Sequence, residues 1–313
     1  MTTAVVFGYG DVGIRCTATL LARGLDVKLV ASHADDPGEA QWYGSLARFA
    51  AEHDLSVHLS ADASDPSLLV RIRDIRPDFI FSFYYRRMIP SSILECARRA
   101  ALNMHGSLLP QFRGRAPVNW AVLKGATQTG ASLHHMTAKP DAGRLVDQMP
   151  VPILADDTAY DVFRKVCAAA EFVLHRSLPG IVDGTAPAIE QDLRAGTYYG
   201  ARRPEDGEID WSRPAAEVHN LVRAVAPPFP AARTSIGGRS ARIFRTLPVE
   251  APSPAVPGPV LFAHDGRCHA RCADGSVLRL LEMELDGQLV DMDRFAARLD
   301  APIPLPLLPE DHR

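Results

Sequence analysis

"AVVFGYGDVG", residues 4–13, sets an apolar run directly before Gly8, Gly10 and Gly13 in G-x-G-x-x-G spacing. A strand that feeds a glycine-rich turn and then a helix opens a doubly wound α/β sheet, and the same turn can cradle a dinucleotide. NAD binding asks for one thing more. An acid at the tip of the second strand, about 20 residues past the glycines, must hold a ribose hydroxyl. The second strand-like run, "DVKLVASH", ends in Ala31, Ser32 and His33, and Asp35 and Asp36 follow only in a loop. The turn predicts the fold, and an NAD-dependent oxidoreductase stands as one reading with its ribose acid missing.

Outward from this turn, strand-like runs ("DVKLVAS", "LSVHLSA", "PDFIFSFYY") alternate with helically spaced ones ("VGIRCTATLLARG", "YGSLARFAAEH", "PSLLVRIRDIR"). That alternation predicts a mostly parallel sheet with helices on both faces. The longest helical pattern, "TAYDVFRKVCAAAEFVLHRSLPGIVDG", closes a first domain over residues 1–193. The polar, turn-rich residues 194–207 read as a linker. From 208 to 302 one helix, "PAAEVHNLVRAVA", precedes short runs separated by Gly-containing turns, which predicts a small β-barrel or sandwich. Residues 303–313 read as a Pro-rich extended tail.

The chain of 313 residues is 47% hydrophobic and 23% charged, in the range of soluble globular proteins and long enough for two domains. Its net charge of −3 gives no general attraction to polyanions, so a nucleic-acid partner would need a local basic patch. No apolar run reaches the ~20 residues of a membrane helix, and the N-terminus reads as a strand rather than a leader. Cys16, Cys96, Cys167, Cys268 and Cys272 are scattered and odd in number, which suggests reduced thiols and a cytoplasmic setting. "RCHARC" brings Cys268, His269 and Cys272 close, but alternation along a strand sends them to different faces, and no fourth donor is nearby. No metal is expected.

The chemistry lies in "LNMHGSLLPQFRGRAPVNWAVLKG", residues 102–125. Asn103 and His105 stand two apart, so their side chains leave a strand end on one face. A turn at Ser107–Pro110 follows, then Arg113, Gly114 and Arg115 ahead of a helix. Downstream, "GASLHHMTAKPDAG" ends in a turn that can bring Asp141 against an imidazole. An amide, an imidazole and a carboxylate together suit acyl transfer without a covalent enzyme intermediate. The amide N–H serves a developing oxyanion and the imidazole a proton, while the carboxylate is expected to raise the His105 pKa.

N-x-H-G-S-L-L-P-x-x-R-G with D-A-G downstream resembles the signature of the 10-formyltetrahydrofolate-dependent formyltransferases. These include glycinamide ribonucleotide, methionyl-tRNA and sugar-amine formyltransferases. The resemblance implies a doubly wound α/β catalytic domain followed by a C-terminal OB-like β-barrel, with 10-formyltetrahydrofolate as co-substrate and neither metal nor NAD. It implies Asn103, His105 and Asp141 as the catalytic trio. The folate pocket carries over to Arg87, Met88, Ile89, Arg115, Thr137, Ala138, Lys139, Pro140 and Asp141.

Longer stretches, among them "SHADDPGEAQWYGSLARFAAEH", "FSFYYRRMIP" and "YYGARRPEDGEIDW", are similar to one branch of the family. That branch formylates the 4-amine of UDP-4-amino-4-deoxy-L-arabinose in lipid A modification and polymyxin resistance. There the formyltransferase is half of a bifunctional chain, so a separate UDP-glucuronate dehydrogenase-decarboxylase is an expected partner. Arg87 stands where the branch has His. The nucleotide-sugar is expected near Gly8 and Gly10, with Asn119, Arg202 and Arg223 as further substrate contacts. Methionyl-tRNA is the rival acceptor. Nothing between Leu29 and Ala47 is Lys or Arg, while Asp35, Asp36 and Glu39 are acidic, and phosphate contacts dominate nucleic-acid affinity. A catalytically silent binding module is the remaining alternative.

Overall fold

A computed structural model describes residues 1–36, 38, 41–60, 62–299 and 304–307. In chain order the elements are β1 (Thr3–Gly8), α1 (Gly10–Ala22), β2 (Asp26–Ser32), α2 (Leu46–Glu52), β3 (Val57–Leu59), α3 (Pro66–Ile75), β4 (Phe79–Phe83) and α4 (Ser91–Leu94). Then come β5 (Ala100–His105), β6 (Arg113–Gly114), α5 (Pro117–Leu123), β7 (Gln128–His135), β8 (Leu145–Pro152), α6 (Ala159–Asp183) and β9 (Tyr198–Tyr199). The remainder holds α7 (Ala215–Val225), β10 (Ala232–Ile236), β11 (Arg239–Val249), β12 (Val260–His264), β13 (Arg267–Arg271), β14 (Val277–Leu285), β15 (Gln288–Leu289), α8 (Met292–Leu299) and β16 (Leu305–Pro306).

The chain forms two compact units: Met1–Val118 with Gln128–Pro152 and Phe163–Gly200, and Asn119–Thr127 with Ile153–Val162 and Ala201–Arg313. In the first, the strand order is β3-β2-β1-β4-β5-β7-β8. Pairings from β3 to β5 are parallel, and those of β7 with β5 and β8 are antiparallel. β1 and β4 are buried along nearly their whole length, as strands covered on both faces must be. Strand order reverses between β1 and β4, so the carboxyl ends of the strands there open the crevice where such sheets bind ligands. The glycine turn has a packing reason as well. A Cβ on Gly8 would lie 2.8 Å from Leu46 Cδ2, and one on Gly13 3.0 Å from it.

The second unit is an antiparallel half-barrel in the order β10-β11-β14-β13-β12-β16, with β15 beside β14. α7 and α8 contribute to its core through Val218, Val222, Ala296 and Leu299. The helix α8 goes beyond the sequence expectation, and part of the expected tail is not free. Leu305 pairs with Leu261, and Leu307 is buried in the core, because this stretch alternates apolar residues against an open strand edge. Residues 303 and 308–313 of that tail, residues 300–302 of the expected barrel and Glu39 of the acidic loop lie outside the described residues. Cys268 and Cys272 belong to this core, whereas the His269 ring stacks on Phe262 on the other face of the sheet. Among the described residues no group of three metal-ligating side chains occurs, and no helix is long and apolar enough to cross a membrane.

Candidate active site

β5 runs between β4 and β7, and its last residues bring Asn103 and His105 to the carboxyl edge of the sheet. Asn103 sits opposite His134 in the β5–β7 ladder, and its Nδ2 lies 3.0 Å from His134 Nε2. His134 Nδ1 is 2.8 Å from the His135 carbonyl, which can only accept. Nδ1 therefore carries the hydrogen, Nε2 is bare, and the Asn103 amide must donate to it. That bond fixes which way the amide faces and leaves its second N–H to serve another acceptor.

The same reasoning sets the tautomer of His105. Its Nε2 lies 2.9 Å from the Phe112 carbonyl and must donate, so the lone pair of the neutral ring is on Nδ1. Nδ1 is 3.4 Å from Asp141 Oδ1, and the same oxygen is 3.6 Å from His134 Nε2. The other carboxylate oxygen accepts the Gly114 N–H at 2.8 Å. One carboxylate thus faces two imidazoles and a main-chain donor.

The supports are local. Ser132 Oγ donates to the Ser107 carbonyl at 2.6 Å and accepts the Leu109 N–H, while Gln148 Nε2 reaches Leu109 O and Ser132 Oγ. β6 pairs in parallel with β9, and Thr197 Oγ1 accepts the Phe112 N–H at 2.8 Å, so the first part of the expected linker braces this loop. Gly114 has φ +96°, and a Cβ there would lie 2.1 Å from the Tyr199 carbonyl, so no other residue fits this turn without displacing β9. Asp141 itself has φ +51°, and Gln191 Nε2 clamps its turn by donating to the Asp141 and Gly143 carbonyls at 3.1 and 2.6 Å.

Burial pushes the His105 pKa below its ordinary value, more than Asp141 and the Phe112 carbonyl raise it, with His134 adding a small push down. This corrects the expectation of a raised pKa: the carboxylate does favour the imidazolium, but desolvation of a buried ring is larger. Burial alone would raise Asp141; His105, His134 and the Gly114 N–H outweigh it and hold the carboxyl at about 2, against 3.8. A carboxyl pKa depressed by folding stabilises the fold above its unfolded value, and that stability is lost as pH falls through the folded value. Asp141 is therefore expected to contribute about 2 kcal/mol that disappears between pH 4 and 2. Chemical denaturation across that range should show a steeper loss for the wild type than for Asp141→Asn; parallel curves would contradict the assignment.

Acyl transfer to an amine builds negative charge on a carbonyl oxygen and positive charge on the attacking nitrogen. Asn103 offers a preorganised N–H for the first. His105, neutral at rest, can take a proton at Nδ1, where Asp141 at once stabilises it. Ile89 is buried in the core, whereas Met88 is exposed just after β4, and Thr137, Ala138 and Lys139 are exposed after β7. Thr137 Oγ1 donates to the Lys139 carbonyl, which shapes that loop. Arg87 and Arg115 are exposed, Pro140 is half-buried, and the Arg115 N–H donates to Tyr199 O. All of these lie in the first unit, as do Gly8 and Gly10.

Asn119, Arg202 and Arg223 lie in the second unit. Asn119 Nδ2 donates to the Ala224 carbonyl at 2.8 Å. Arg223 is buried, and its guanidinium donates to Asn220 Oδ1 and to the carbonyls of Leu154 and Asp157, which is the bonding of a packing residue. Two residues of the site escaped the sequence reading. His134 was visible in "SLHHM" as a polar residue in a strand-like run, but only the ladder pairs it with Asn103. Gln191 has no local signal.

The chain matches the formyl transferase family model over residues 5–178 and the formyl transferase C-terminal domain model over 202–299. Its fold is similar to an N-formyltransferase from Helicobacter canadensis in complex with folinic acid and dTDP-3-aminofucose, with TM-score 0.70 and 19% identity over 93% of this chain and 100% of that one. It is similar to WlaRD, a sugar 3N-formyltransferase solved with dTDP and 5-N-formyl-THF, with TM-score 0.70 and 18% identity over 93% and 98%. A sugar N-formyltransferase from a Shewanella species gives TM-score 0.64 and 17% identity over 81% and 100%. With more than half its length matched by the catalytic-domain model and the site assembled as above, this chain belongs to the formyl transferase family.

Proposed function

We propose that this enzyme transfers the formyl group of 10-formyltetrahydrofolate to the amine of a nucleotide-linked amino sugar. The observation that carries this reading is the convergence of Asn103, His105 and Asp141 at the end of β5. The folate supplies the formyl carbon. The main chain of Arg87–Ile89 and Thr137–Asp141, with Arg115, holds it, and the exposed Met88 offers apolar surface for a flat ring. Asn103 steadies the oxygen that gains charge as the amine bonds to the formyl carbon, and His105 accepts the amine's proton. The bond from that carbon to N10 then breaks, the proton passes to N10, and tetrahydrofolate leaves. Relatives of similar fold solved with dTDP or a dTDP-sugar support a nucleotide-linked acceptor.

The acceptor favoured by sequence similarity is UDP-4-amino-4-deoxy-L-arabinose. A dTDP-linked 3-amino sugar is the second reading, favoured by the ligand of the Helicobacter canadensis protein. Methionyl-tRNA is disfavoured by the acidic stretch between Leu29 and Ala47. The test is incubation with 10-formyltetrahydrofolate and each of these acceptors, following tetrahydrofolate release and product mass. Turnover of the UDP-linked sugar is expected, with UDP a competitive inhibitor and kcat/KM rising with pH as the amine deprotonates. Formylation of methionyl-tRNA with none of the sugars would overturn the reading.

A further inference from the structure

Arg202 differs from every other guanidinium assigned to the substrate above. Its Cζ stands 5.2 Å from the centroid of the Trp120 ring, and Lys124 Nζ lies 5.9 Å from the same centroid. One N–H of Nη2 donates to the Asp206 main-chain carbonyl at 2.8 Å. Nη1, by contrast, is buried without a hydrogen-bond partner. The nearby Asp206 carboxylate accepts the Arg203 N–H. Burial pushes the Arg202 pKa below its ordinary value, with only Asp206 acting against it. Two cations therefore lie within about 6 Å of one indole centroid, and one of them holds an unsatisfied, partly desolvated N–H.

A buried N–H without an acceptor is costly, and more so on a charged group. Native structures keep such groups chiefly where another role explains them. A guanidinium stacked on an aromatic face loses little freedom when it forms a further bond, and its planar fork matches phosphate oxygens. Arg223 shows the contrast, for it spends its N–H groups on Asn220 Oδ1 and two carbonyls. Trp120 stands on α5, in the same unit as Lys124 and Arg202.

We infer that Arg202, seated on Trp120 and assisted by Lys124, binds the diphosphate of a nucleoside diphosphate. This rests on the nucleotide-sugar reading and deepens it by naming the residues that hold the acceptor's anionic portion. A small rotation of the side chain exchanges the orphaned position of Nη1 for a phosphate oxygen, so the ligand relieves a penalty present without it. Trp120 acts as a positioning residue through Arg202.

The test is isothermal titration calorimetry of the full chain with UDP, uridine and inorganic pyrophosphate, alongside steady-state kinetics. Arg202→Ala should weaken UDP and pyrophosphate roughly 10- to 100-fold, the loss of one charge-assisted bidentate contact, and leave uridine unchanged. Arg202→Lys should recover only part, and Trp120→Ala should weaken UDP because the guanidinium loses its platform. KM for the sugar acceptor should rise in the Arg202 variants while kcat stays near wild type. Should Arg202→Ala and Arg202→Lys, folded by circular dichroism, bind UDP as the wild type does, the inference is overturned while sugar turnover keeps the functional reading. A wild-type chain that formylates no nucleotide sugar and binds neither UDP nor dTDP would overturn both.

Discussion

Asn103→Ala is expected to lower kcat by about 10²–10³ with little change in KM, the loss seen when one oxyanion donor is removed. The size follows from geometry. The amide is held in one orientation by His134 Nε2 at 3.0 Å, so its remaining N–H needs no reorganisation when charge develops. A side chain that merely filled the strand end would cost stability and leave kcat alone. Steady-state kinetics with saturating folate would read this directly, and a variant keeping more than half of wild-type kcat would remove Asn103 from the mechanism.

Asp141→Asn should have an effect of similar size, with a second signature in the pH profile. The carboxylate is what raises the His105 pKa against burial, so its removal lowers that pKa further. The proposed mechanism needs the neutral imidazole, so the limb of the profile governed by His105 should move to lower pH while the plateau falls. On the proposed mechanism Nδ1 of His105 gains its proton beside Asp141 Oδ1, 3.4 Å away, so the two should act as a unit. The double variant His105→Ala/Asp141→Asn should therefore be nearly as active as either single one. Losses that multiply, with an unmoved pH limb, would show independent roles.

Much of this site was legible because it is local. The β1 turn, the two-residue spacing of Asn103 and His105, and the D-A-G turn each lie within a short run whose periodicity or turn chemistry is visible. What stayed hidden depends on pairing between distant segments. His134 meets Asn103 only through the register of β5 with β7, and Gln191 reaches the Asp141 turn from 50 residues away. The two-residue ladder of β6 and β9 is too short to carry a periodic pattern, so its half of the linker looked like plain connection. The sign of the His105 shift was misread for a related reason. Charge partners can be guessed from sequence, but the degree of burial that opposes them belongs to the packed structure.

We propose that formyl transfer at this site is direct, without a protein-bound intermediate. The most direct measurement is a single-turnover reaction with isotopically labelled formyl on 10-formyltetrahydrofolate and a UDP-linked 4-amino sugar, quenched over time. The label should pass from folate to the sugar amine with equimolar tetrahydrofolate released, none of it trapped on the protein, and Asn103→Ala should slow that passage by about 10²–10³. Label accumulating on the protein before it reaches the sugar, or remaining on the folate with every amine offered, would contradict direct transfer at this site.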